Sequence, residues 1–160
     1  MATYIMLVTR LSNAMYSAAG FMLTLMMGLT VLDVILRYLE HPIVGTYEIV
    51  GLMGAVVIGL AIPYTSIARG HVFVEFLVDK LSKNRRAVVL IFAKILILLL
   101  FVALTINVYR IGADMARTKE VTQTLHIPIH PVVYLVAFCC LIELLVMISD
   151  IVKLIGGDYE

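Results

Sequence analysis

The chain has 160 residues, of which 62% are hydrophobic and 14% charged, with a formal net charge of +1. Ordinary soluble domains carry about 25% charged residues, and a chain this short has no interior large enough to hide so much apolar surface, so the excess faces lipid or other membrane-embedded protein. The near-neutral balance gives no reason to expect nucleic acid or another polyanion as a partner.

In chain order, four segments are long and apolar enough to span the roughly 30 Å of a bilayer interior. They define an all-α integral membrane protein, one membrane domain over 1–160 with transmembrane helices at about 11–36, 47–68, 87–112 and 131–154. The first apolar run is too long for a cleaved secretory signal and lacks a small-residue cleavage pattern, so it is read as a retained helix. Near its end Asp33 and Arg37 stand one turn apart. A short turn with Pro42 and Gly45 follows. Thr46 is the expected N-cap of the second helix, with Glu48 in its first turn. Arg37 is placed to bridge both carboxylates, so Asp33, Arg37 and Glu48 form a predicted structural charge cluster.

In the second helix Gly51, Ala55 and Gly59 recur every four residues and make a smooth stripe for close helix packing, within the chain or against another subunit. Pro63 removes the hydrogen bond to the Gly59 carbonyl. Between the second and third spans, His71, Glu75, Asp79 and Ser82 fall on one helical face, and Val72, Phe73, Phe76, Leu77 and Leu81 cover much of the rest. That pattern predicts an amphipathic interfacial helix at about 71–83. The basic residues Lys80, Lys83, Arg85 and Arg86 at its C-terminal end suit anionic lipid.

The third span contains Lys94, and the fourth contains Glu143 and, near its end, Asp150. Ionisable groups inside a membrane ask for partners. Lys94 and Glu143 lie at matching depths on consecutive antiparallel helices and are predicted to pair, as packing or subunit-interface residues. Leu104, Val108, Ile111 and Met115 carry an apolar stripe past Tyr109, so the third helix is expected to outrun the bilayer. Basic residues in the flanks favour an orientation with both termini inside.

Chemistry is hard to find. The histidines His41, His71, His126 and His130 lie outside the membrane runs, and Pro128 and Pro131 break the spacing of the last two. No catalytic or metal-binding residues are assigned, and no cofactor is expected in this chain. Cys139 and Cys140 are adjacent in an apolar run and read as small fillers.

The order of Asp33, Arg37-Tyr38, Pro42, Tyr47-Glu48, then Gly70-His71, Val74-Glu75, Lys83, Arg85-Arg86, then Thr124, His126, Pro128 and Tyr134 resembles the small membrane subunit, the DctQ-type or Q subunit, of tripartite ATP-independent periplasmic (TRAP) transporters. The resemblance covers most of the chain. It departs in having no tryptophan, where relatives often carry one near the final proline.

The resemblance implies a bacterial inner-membrane location and two protein partners. One is a large membrane subunit carrying the substrate and sodium sites. The other is a periplasmic binding protein that delivers an organic acid. The small subunit itself would be non-catalytic, bracing the large subunit's scaffold and helping to receive the binding protein. Arg37, Glu40, His41, Arg117, Lys119 and Glu120, on the expected outer side, are the candidate docking residues. Two other classes compete. An autonomous four-helix exporter would want an acidic residue mid-membrane in the first helix, which Ala14 to Leu32 lacks. A membrane anchor of a redox enzyme would want histidines within the spans.

Overall fold

The computed structural model describes residues 2–68 and 83–155. Among these, α1 (Ala2–Tyr38), α2 (Thr46–Ile67), α3 (Lys83–Thr118) and α4 (His130–Ile155) account for most of the described residues. Each contains a stretch long and apolar enough to cross a membrane. The remaining pairing is an isolated antiparallel bridge between Val121 and Pro128. The interfacial helix expected at 71–83, with His71, Glu75, Asp79 and Lys80, lies outside the described residues except at its end. There Lys83, Arg85 and Arg86 belong to the first turns of α3.

Two helices exceed their expected bounds. At 1.5 Å per residue, α1 with 37 residues and α3 with 36 are each about 55 Å long. In α1 the reason is a packing stripe that begins before the expected start, and α3 runs on along the apolar residues expected to carry it past Tyr109. In α1, Val8, Ser12, Met15 and Ala19 are buried, Met22, Met26 and Leu29 are half-buried, and Asp33 is buried again. Steps of four and three residues alternate throughout, which is the signature of a single helix–helix seam. The remaining faces of α1, including Phe21, Leu25 and Val34, are exposed.

The helices lie in the order α1, α2, α4, α3. α1 packs on α2, α2 on α4 and α4 on α3, with a thinner contact between α1 and α4. Among the described residues α3 has no packing contact with α1 or α2. Among the described residues the fold is therefore an open row, bent where α1 also touches α4, and its two longest helices form its edges. α4, with neighbours on both sides, holds most of the core: Ala137, Cys139, Cys140, Ile142, Val146 and Met147 are all buried.

Small residues set the seams. A Cβ on Gly59 would stand 3.5–3.6 Å from Val136 and Cys139, so α2 approaches α4 closely there. On the other side of α4, a Cβ on Gly112 would stand 3.1 Å from the Tyr134 ring, beside the Tyr109–Tyr134 contact at 5.6 Å. Tyr16 of α1 stacks on Tyr64 of α2 at 4.1 Å. Polar side chains along the spans satisfy themselves locally. Thr24, Thr30, Thr65, Thr105, Asn107 and Ser149 each donate to the carbonyl four residues back.

Candidate functional site

The polar groups gather at the loop end of the row, around the 39–45 and 119–129 connections, and in the seams toward the opposite end. At the loop end α1 stops with Glu40 in the left-handed conformation (φ 62), Glu40 N–H bonded to Arg37 O and His41 N–H to Leu36 O. α3 stops the same way, with Lys119 at φ 55 and Glu120 N–H bonded to Met115 O. This is the helix stop that glycine normally supplies. Here it holds two charged residues, both exposed.

Asp33, buried at 6% exposure, accepts from Arg37 Nη2 at 2.9 Å and from Ile43 N–H at 3.0 Å, tying the end of α1 to the turn after it. Glu48 is not bridged by Arg37. Its two carboxylate oxygens instead accept the N–H groups of Thr124 and Leu125, at 2.6 and 2.9 Å. The start of α2 thus holds the 119–129 loop, which closes on itself through Thr122 N–H to Ile127 O, Ile127 N–H to Thr122 Oγ1 and Ile129 N–H to Glu120 O. Thr46 is not the N-cap. Gly45 takes that place at φ 80, its carbonyl accepting from Glu48 and Ile49, while the Thr46 hydroxyl donates back to Ile43 O. Leu125 sits where a Gly45 side chain would stand.

In the α3–α4 seam Lys94 Nζ meets Asp150 Oδ2 at 2.7 Å, with both side chains about a quarter exposed. The pairing with Glu143 expected from depth is therefore wrong. Side chains lean toward their helix N-terminus, so Lys94 reaches toward the end where α3 starts and α4 finishes, and Asp150 leans to meet it. Glu143, fully buried, accepts from Ser66 Oγ of α2. The glycine stripe is divided: Gly59 lies against α4, Ala55 is half-buried, and Gly51 is exposed with open space beyond its Cα. Among the described residues no group of three or more His, Cys, Asp or Glu side chains is placed to hold a metal.

Apolar helices that satisfy their polar groups locally and keep their charges to seams and to the stretches near their ends define a multi-pass α-helical membrane protein. A family model described as the tripartite ATP-independent periplasmic transporters, DctQ component, matches residues 26–157. The chain belongs to that family and is a small inner-membrane subunit of a TRAP transporter. No curated protein and no solved structure matches it.

Proposed function

We propose that this subunit is a non-catalytic brace for the scaffold of a large membrane subunit in a sodium-coupled, organic-acid TRAP transporter, and that its loop end helps to receive the periplasmic binding protein. Sodium and substrate are held by the large subunit. Both termini are cytoplasmic, which puts the 39–45 and 119–129 loops on the periplasmic side.

The observation that carries the reading is the open row. No residue in the most apolar stretch of α3 is buried within the chain, and α1 spends a single stripe on its neighbour. A protein whose own packing leaves two broad apolar faces has surface to lay along something larger. Two details favour protein over lipid on part of that surface. Gly51 leaves a groove in α2 with nothing in it, and Asn107 exposes an amide on α3 that donates to Ala103 O of its own helix.

At the loop end, Glu40 and Lys119 hold left-handed cap positions, where glycine would be more stable by up to about 1 kcal/mol each. Arg37, His41, Arg117 and Glu120 stand beside them in the sequence and are exposed. Charged side chains kept where glycine would be more stable fit a docking role.

The test is co-expression with the large membrane subunit and purification through a tag on this chain. Co-purification in a fixed ratio is expected. A stable monomer that leaves the large subunit behind, or that transports by itself after reconstitution, would sink the proposal.

A further inference from the structure

The core shared by α1, α2 and α4 is built from Met15, Cys139 and Ile142 with Leu60 packed against them. One turn toward the end where α1 starts and α2 and α4 finish, the same faces continue with polar side chains. Ser12 precedes Met15 by one turn, Ser66 lies beyond Leu60 and Pro63, and Glu143 follows Ile142. Ser12 and Glu143 are fully buried and Ser66 is 6% exposed. Ser66 Oγ donates to Glu143 Oε1. Glu143 Oε2 and Ser12 Oγ are each buried without a hydrogen-bond partner.

No described cation answers Glu143. On α1 the nearby basic residue, Arg10, is exposed. α2 presents Ser66, with Tyr64 stacked on Tyr16. On α3 Lys94 is held by Asp150. α4 itself offers the buried thiols Cys139 and Cys140 and, farther along, the anionic Asp150. A bare carboxylate buried in a membrane span is costly, and a proton removes that charge. Calcium and magnesium take six or more oxygens, more than the two carboxylate oxygens and two hydroxyls of Glu143, Ser66 and Ser12. A proton on Oε2 converts one orphan acceptor into a donor, and Ser12 Oγ is an acceptor that lacks one.

We propose that Glu143 is a resident proton-binding site. It is carried as a neutral carboxylic acid, Ser66 donating to Oε1 and the Oε2 proton going to Ser12 Oγ directly or across one buried water. The proton thereby ties α1, α2 and α4 together at one level of the membrane. Losing it leaves an unpaired charge in the seam and loosens α1, the helix held by a single stripe. The folded state then binds a proton that the unfolded chain releases, so stability falls as pH rises.

The test uses the transporter complex in lipid nanodiscs, read by infrared difference spectroscopy and thermal unfolding across a pH series. Wild type is expected to show a protonated-carboxyl band at neutral pH that is lost at high pH and is missing from Glu143→Gln, while Ser12→Ala shifts the band. Glu143→Gln, a neutral isostere, is expected to lose the fall in stability with pH. Should that variant fail to assemble, the wild-type band and its response to Ser12→Ala decide the matter. The proposal is overturned by any of three results: a Glu143 carboxylate band at neutral pH, the same pH profile in wild type and Glu143→Gln, or stabilisation of wild type alone by sodium or potassium, which would put a metal cation at the site.

Discussion

Lys94 and Asp150, 56 residues apart in the chain, meet at 2.7 Å across the α3–α4 seam. Among the described residues α3 rests on α4 alone, so this pair and the contact at Gly112 fix how far α3 slides along its neighbour. With both side chains mostly withdrawn from solvent, removing one partner leaves a poorly solvated charge. Lys94→Ala or Asp150→Ala is expected to cost about 1–3 kcal/mol, between the surface and fully buried cases. A double-mutant cycle by thermal unfolding should show coupling for Lys94 with Asp150 and almost none for Lys94 with Glu143.

Gly45 and Leu125 make a second checkable contact. Gly45→Ala meets two penalties: a left-handed backbone worth about 1–2 kcal/mol and the Leu125 side chain in the place of its methyl. In a Leu125→Ala background only the backbone penalty should remain. Equal losses in both backgrounds, measured by unfolding, would show that Leu125 yields freely.

Glu48 is the clasp of the 119–129 loop. Glu48→Ala is expected to leave the helices intact and to speed hydrogen exchange at the Thr124 and Leu125 amides, which lose their acceptor. Arg37→Ala should leave those two amides unchanged, because Arg37 is engaged with Asp33 instead.

The two ends of the small-residue stripe should separate folding from assembly. Gly59→Leu is expected to force α2 off α4, since Val136 and Cys139 already lie at contact distance. Gly51→Leu has open space before it. It should leave the thermal stability of the isolated chain within about 0.5 kcal/mol and reduce recovery of the large subunit, if α2 faces that partner.

Glu40→Gly and Lys119→Gly give opposite signs in two assays. Each should stabilise the fold by up to about 1 kcal/mol, because glycine suits the left-handed cap. Each should also slow uptake at limiting binding protein if these charges dock it. Uptake unchanged in the double variant would remove the docking role from these positions.

How much of this was legible beforehand depended on the range of the interaction. The spans and the α1 end pair Asp33–Arg37 follow from hydropathy and one-turn spacing, both local. Depth counted along the backbone matches Lys94 with Glu143, whereas its partner in the structure is Asp150. Side-chain length and lean move a lysine head and a carboxylate by several residues' worth of rise. Glu48 was assigned to Arg37 by proximity in sequence. Its real partners are backbone amides 76 and 77 residues away, whose positions depend on the path of a loop. Ser12 and Ser66 carried no sequence signal as single serines in apolar runs. The signal that would have found them is the question of what faces a lone glutamate when the nearest lysine is taken.

An open row of helices is mechanically unlike a closed bundle. Along the helix axes it resists bending, because every backbone bond would have to stretch or compress. Across its width the resistance comes from the seams between neighbours, narrow lines of small residues and aromatic contacts, and from the thinner α1–α4 contact. Such a sheet of rods is a stiff plank in one direction and a hinged blind in the other. It can follow a curved flank while holding a fixed height in the membrane.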